Sequence, residues 1–132
     1  MSNDKRRFIL FFAEITEADT MKRDVKITIL KSEVDQKLAE QYAIPGFEAC
    51  PFHRPGQVFI SDGEHKPEGL CEYAWQPMKE MVKMLSEGEL LQPRVTWMRD
   101  DDKGIYTCVD GMRPVIMLIE AMKVDEKGNE KV

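Results

Sequence analysis

The dipeptide Asp110-Gly111 is the feature that most constrains how this chain can fold. It lies between residues 104–109 and residues 114–122, two runs that are rich in branched and aromatic side chains. An Asp-Gly pair favours the backbone angles of a tight β-turn, so the two runs are predicted to be antiparallel neighbours in a hairpin. Residues 115–119 are apolar at every position, which predicts a central strand that is covered on both faces.

Further strands are predicted on either side of this hairpin. Val25, Ile27 and Ile29 alternate with polar residues, as is typical of a half-buried strand. Short strands are also predicted at residues 57–61, between two turns, and at residues 94–99.

Two helical segments are predicted between the strands. Apolar residues at intervals of four predict a short amphipathic helix over residues 35–42, which the sequence Ile44-Pro45-Gly46 ends. A longer apolar stripe at helical spacing covers residues 70–85. Pro77 lies inside it and either kinks one helix or opens a second one at its first turn.

Together these elements predict an α+β fold. We expect a single compact domain over residues 25–122, with a helical segment packed on a mainly antiparallel sheet. The 132 residues are enough to bury a core without disulfide bonds. Residues 1–24 are predicted to be an N-terminal extension, either a strand that pairs with the first core strand or a short helix. Residues 123–132 are predicted to be a charged, flexible tail.

Charge and hydropathy exclude several classes of function. The 19 Lys and Arg are scattered and are outnumbered by 24 Asp and Glu, so the chain lacks the basic face that nucleic-acid binding needs. No apolar run approaches the roughly 20 residues of a transmembrane helix. Glu14 and Glu17 interrupt the apolar run at residues 8–13, with no cleavage pattern after it, and three cysteines do not suit a secreted disulfide framework. We expect a cytoplasmic protein.

The cysteines are the candidate site. Cys50 and His53 can supply two of the four ligands of a tetrahedral Zn²⁺ ion, and Cys71 and Cys108 would complete a Cys₃His set. Two other interpretations are open: small apolar core residues, or a reactive thiol at Cys50 or Cys71. A Ser-His-Asp signature, a glycine-rich phosphate loop and an HExxH pattern are all absent from the sequence.

Aromatic and charged residues near the cysteines form a second candidate set. Tyr73, Trp75 and Trp97 either line a pocket for a planar ligand or serve as core and rim aromatics. Three charged residues complete the candidate pocket: Glu68, Asp110 and Arg113.

Five segments of the chain resemble a family of small proteins. The segments are "VKITILK", "CPFHRPGQVFI", "KPEGLCEYAW", "WM" and "CVDGMRPVIMLIE". The family is uncharacterised and is found largely in anaerobic bacteria and archaea; its members carry Cys-Pro with a following GQxF, then PEGFCxWAW and CTDGLRPV. Leu70 and Tyr73 stand where the family has Phe and Trp, and His53 lies outside its pattern. The matching residues are Cys50, Pro51, Gly56, Gln57, Phe59, Pro67, Glu68, Gly69, Cys71, Ala74, Trp75, Cys108, Asp110, Gly111, Arg113 and Pro114.

The resemblance covers residues 25–120 and implies a shared fold with a site built from the three cysteine segments. It implies no reaction. We therefore predict a small non-catalytic binding protein or accessory subunit, with a protein partner or as a homo-oligomer, in which the cysteines hold zinc, an iron-sulfur cluster or another cofactor. The alternative is a thiol-dependent enzyme or redox protein that uses Cys50 or Cys71, with Arg113 or His53 as charge partner.

Overall fold

A four-stranded antiparallel sheet is the framework of the molecule. The computed structural model describes residues 22–124 and 130–131. The strand order is β2-β1-β4-β3, so the two central strands come from opposite parts of the described chain. The predicted α+β fold is confirmed. The strands are β1 (Val25–Ser32), β2 (Val58–Ser61), β3 (Lys103–Thr107) and β4 (Val115–Ala121).

The central pair, β1 and β4, forms the core of the sheet. Its register runs from Val25 opposite Ala121 to Ser32 opposite Val115, with an irregularity between Ile29 and Lys31. The period-2 pattern of β1 turns its branched side chains to one face, where they are fully buried against those of β4. The predicted hairpin across Asp110-Gly111 joins β3 to β4.

Within residues 22–124, three short helices accompany the sheet. Helix α1 (Gln36–Tyr42) begins where the Asp35 side chain accepts a hydrogen bond from the backbone N–H of Leu38 at 3.1 Å. Helix α2 (Glu72–Trp75) and helix α3 (Lys79–Ser86) are separated at Pro77, because proline cannot donate the hydrogen bond that a continuous helix would need. Pro77 therefore divides the predicted helical stripe and precedes the first turn of α3.

The core lies between the sheet and the segment that holds α2 and α3. The helical side chains that pack there recur at the predicted spacing, and all are buried. They are Leu70, Ala74, Trp75, Met78, Val82 and Leu85.

Two sequence predictions need correction. Residues 94–99 form turns and no strand: the Leu91 N–H donates to Asp101 O at 2.8 Å and the Val95 N–H donates to Leu91 O at 3.1 Å, so local bonds take the place of a sheet ladder. The prediction that β4 is covered on both faces holds for one face only, because Ile116 and Leu118 on the other face are half-buried.

The two ends of the sequence are described only in part. The predicted N-terminal strand or helix lies outside the described residues, apart from the short segment 22–24. In the tail, β5 (Lys123–Val124) pairs antiparallel with β6 (Glu130–Lys131). Within the described part of the chain, every helix is too short or too polar to cross a bilayer.

A cavity lined by three cysteines

A cavity of about 160 Å³ lies at the end of the sheet where β4 begins and β3 ends. Three segments that are distant in sequence form its wall: the loop before β2, the start of α2 and the β3–β4 hairpin. Each segment contributes one cysteine, so Cys50, Cys71 and Cys108 all line the same cavity. The fold therefore brings together the three thiols that the sequence singled out.

All three cysteines are free and half-buried, and each is held differently. The Cys50 sulfur accepts a hydrogen bond from the backbone N–H of Phe52 at 3.4 Å. The Cys108 sulfur accepts one from the backbone N–H of Val115 at 3.3 Å, across the base of the hairpin. Cys71 precedes the first turn of α2, and its carbonyl accepts the first hydrogen bonds of that helix. The backbone thus fixes where each sulfur lies on the cavity wall.

His53 connects two of these cysteine segments. Its side chain is 1% exposed, and both ring nitrogens are engaged. Nε2 accepts a hydrogen bond from the Cys71 backbone N–H at 3.1 Å, and Nδ1 lies 3.0 Å from the side-chain oxygen Oε1 of Gln57. A nitrogen that accepts from an amide carries no proton, so the ring is neutral, with its proton on Nδ1 donated to Gln57.

This hydrogen-bonding pattern defines what His53 does. The Gln57 oxygen also accepts from the Arg54 backbone N–H at 3.1 Å, which closes the turn that carries the imidazole. The ring packs edge-on against Phe59, with 5.6 Å between the centroids. While these bonds persist, neither nitrogen has a free lone pair with which to coordinate a metal ion or to accept the proton of a thiol. His53 is a buried structural connection between the loop before β2 and α2.

Asp110 and Arg113 form an ion pair on the hairpin that borders the cavity. One Asp110 oxygen accepts from the backbone N–H groups of Met112 (2.9 Å) and Arg113 (3.3 Å), and the other accepts from Arg113 Nε at 3.0 Å. The Met112 N–H and these further donors hold the pKa of Asp110 below its ordinary value of 3.8. The Arg113 guanidinium also lies 5.0 Å above the ring of Phe47, a cation–π contact.

The remaining candidate residues are dispersed. Tyr73 lines the cavity although its side chain is largely exposed. Trp75 belongs to the core, while Trp97 is 78% exposed in the turns after residue 91. Glu68 is exposed in the turn before α2. Of the three aromatic residues proposed for a planar-ligand pocket, the structure brings only Tyr73 to the cavity.

The cysteines do not form a ready-made ligand set. Within residues 22–124 and 130–131, no group of three or more His, Cys, Asp or Glu side chains has an arrangement that could hold a metal ion. The sulfurs share one cavity wall, and the predicted fourth ligand, His53, has both nitrogens occupied.

Some residues of the site were not among the candidate site residues that the sequence suggested. Ala74 and Val115 line the cavity, and Phe47 supports Arg113. Gln57 left a usable signal, because a glutamine four residues after a histidine in a Pro-Gly turn is placed to bond the ring. Isolated aromatic residues in loops, such as Phe47, leave no such signal, since their contacts depend on how distant segments meet.

Comparisons of the chain with family models, with curated proteins and with solved structures return no significant match.

Proposed function

We propose that this protein is a small non-catalytic binding protein that takes a small ligand into the three-cysteine cavity. The observation that carries the proposal is the convergence of three distant segments, each with a free cysteine, around a cavity of about 160 Å³. An engineered apolar cavity of about 150 Å³ in another protein binds benzene. The cavity thus suits a ligand with a body of about the size of a benzene ring.

The hydrogen bonds around the cavity support binding over catalysis. A thiol nucleophile needs a base that can remove its proton, and His53 is the one imidazole on the wall. Its lone pair is already used by the Cys71 backbone N–H. Arg113 cannot act as a base, because a guanidinium stays protonated in proteins.

The direct test is ligand binding by a matched pair of variants. Ala74 is fully buried and lines the cavity, so Ala74→Leu should fill it. Ala121→Leu adds the same side chain at the opposite end of the sheet. We expect millimolar benzamide to raise the melting temperature of the wild type and of Ala121→Leu, and to leave that of Ala74→Leu unchanged.

A second measurement needs no variant. Benzamide in the cavity should slow the alkylation of the three thiols of the wild-type protein by iodoacetamide, because their sulfurs would be covered. If neither benzamide nor its charged counterpart benzoate raises the melting temperature or protects the thiols, the binding proposal is wrong.

Thiol chemistry at Cys71 is the second candidate function. Its sulfur forms no hydrogen bond to any residue in the described part of the chain, although it lies on the cavity wall. A nucleophilic Cys71 would react with iodoacetamide near pH 6 far faster than Cys50 and Cys108 do. Three similar, slow profiles against pH would exclude this function. A protein partner or a homo-oligomer stays a prediction from the sequence.

A further inference from the structure

We propose that the ligand of the three-cysteine cavity is a small carboxylate with an apolar body, and that Arg113 binds its carboxylate group. This inference rests on the binding function proposed above and names the ligand class for the same cavity. Among the described lining residues, Arg113 is the only cation, since the His53 ring is neutral.

The orientation of Arg113 is fixed before any ligand arrives. Its Nε donates to Asp110 at 3.0 Å, and its guanidinium plane lies 5.0 Å above the ring of Phe47. A guanidinium held on two sides loses little further freedom when it binds a ligand. The side chain is therefore preorganised at the cavity wall.

The outer end of the guanidinium keeps its hydrogen-bonding capacity. An arginine has five N–H donors, and the bond to Asp110 uses the one on Nε. No residue in the described part of the chain accepts a hydrogen bond from either Nη atom of Arg113. The side chain lines the cavity and is 33% exposed, so these donors are open to an incoming ligand, and their two-pronged geometry matches a carboxylate.

Asp110 does not compete for these donors. One of its oxygens is used by two backbone N–H groups and the other by Arg113 Nε. The carboxylate of Asp110 offsets part of the positive charge of Arg113. Binding of an anion there accordingly depends on the direct, charge-assisted hydrogen bonds to the Nη atoms more than on a long-range field.

The rest of the wall determines the body of the ligand. Ala74 and Val115 are buried apolar residues, Tyr73 contributes a ring, and the three thiols are weakly polar. Such a surface favours an apolar group, and about 160 Å³ limits that group to roughly a benzene ring or a short branched chain. Benzoate combines both requirements. Benzamide has the same shape without the charge.

The experiment compares these two probes by isothermal titration in four proteins. Wild type should bind benzoate about tenfold more tightly than benzamide, because hydrogen bonds to a charged group are the stronger kind. Arg113→Gln should weaken benzoate binding about tenfold and benzamide binding much less, which removes that preference. Arg113→Lys should retain part of the preference, since a lysine keeps the charge without the planar fork. Arg54→Gln, at an exposed arginine that does not line the cavity, should behave as wild type.

The outcomes separate this inference from the function it rests on. If neither probe binds to wild type, both the binding function and the carboxylate inference are wrong. If benzamide binds as well as benzoate, only the carboxylate inference is overturned. If Arg113→Gln fails to fold, the ratio of the affinities for benzoate and benzamide, measured in wild type and in Arg113→Lys, still tests the inference.

Discussion

The two ends of the four-stranded sheet are built from different chemistry. At the cavity end, three thiols line a cavity beside the buried His53. At the opposite end, partly exposed ion pairs take their place: Lys103 Nζ lies 3.8 Å from Asp100, 3.5 Å from Asp102 and 3.9 Å from Glu120. Ion pairs at this level of exposure contribute little to stability. The three thiols are thus gathered at one end of the sheet, while the other end holds charged pairs.

The two histidines show the same contrast in one residue type. His53 is buried at the cavity end and connects two segments through both nitrogens. His65, at the opposite end, has an 82% exposed side chain and lies 2.8 Å from Asp62. The two bonds of the buried His53 hold two segments of the fold together. The contact between the exposed His65 and Asp62 instead shifts the pKa of both groups.

The largest expected effect is a difference in stability between alanine variants of two glycines with the same backbone φ angle. Gly56 at the cavity end and Gly63 at the opposite end both have φ +96°. A Cβ at Gly63 would lie 2.0 Å from Ser86 Oγ, whereas a Cβ at Gly56 would meet nothing within 4 Å. Gly63→Ala should lower the free energy of unfolding by about 4 kcal/mol, from about 2 of strain and about 2 of overpacking.

Gly56→Ala is the control for that prediction. It should show only the strain of its backbone angle, a loss of about 2 kcal/mol. Urea unfolding of both variants gives the comparison. Equal losses would mean that Ser86 moves aside and that the opposite end is not tightly packed.

The next largest expected effect is a difference in stability between phenylalanine variants of the two histidines. His53→Phe would leave the Cys71 backbone N–H buried without an acceptor and should cost about 2 kcal/mol in urea unfolding. It should also speed the alkylation of Cys71, because α2 would lose its connection to the loop before β2. His65→Phe should change neither quantity appreciably. Identical behaviour of the two variants would contradict the contrast drawn between the ends of the sheet.

A smaller effect lies between the two ends, at Tyr106 on β3. Its hydroxyl is buried and finds no hydrogen-bond partner among the residues that the structure describes, and burial raises its pKa above 10.0. Tyr106→Phe removes the unsatisfied group, so it should raise the free energy of unfolding by about 1 kcal/mol. Tyr73→Phe, at an exposed hydroxyl, should leave it unchanged. A loss of stability in Tyr106→Phe would reveal a partner for the hydroxyl.

The smallest effect is the pH dependence of the opposite end. The hydrogen bond from His65 holds the pKa of Asp62 well below 3.8, and Asp62 raises the pKa of His65 above 6.5. The pair is therefore fully stabilising between these two ordinary values. Its contribution is lost as the pH rises through the raised pKa of His65, and as it falls through the lowered pKa of Asp62.

His65→Gln isolates this dependence. The difference in melting temperature between wild type and His65→Gln should be largest near pH 5 and should disappear as the pH rises through the raised pKa of His65. The difference should be small and should shrink with added salt, because both groups are exposed. A difference that persists unchanged at pH 9 would mean that His65 acts through packing.

Local patterns predicted most of the fold. The alternation in β1 and the Asp110-Gly111 turn identified the two central strands, although not their pairing. Pro77 indicated a kink or a second helix, and the structure has the break between α2 and α3 there. The strand prediction for residues 94–99 is wrong because branched residues favour strands only where a neighbouring strand supplies hydrogen bonds. Here the backbone is satisfied by local turns, Val95 is buried in the core and Met98 packs against it.

The candidate site was less accessible from the sequence. The cysteines could be named, but that Cys108 meets Cys50 and Cys71 is a consequence of strand order and loop path, which no local spacing encodes. His53 is a candidate ligand in the sequence because Cys-x-x-His resembles a zinc pair. Its bond to Gln57 is local, whereas the bond that it accepts from Cys71 depends on a contact across 18 residues.

The pairing of β1 with β4 has a consequence for how the protein folds during its synthesis. Val25 lies opposite Ala121, so the sheet cannot assemble until nearly all of the described chain has left the ribosome. Contacts between such distant residues form slowly. We expect the three thiols to be solvent-accessible throughout synthesis and to become shielded only in the last step of folding. An oxidant or an electrophile that reaches the nascent chain therefore encounters the cysteines before there is a cavity to protect them.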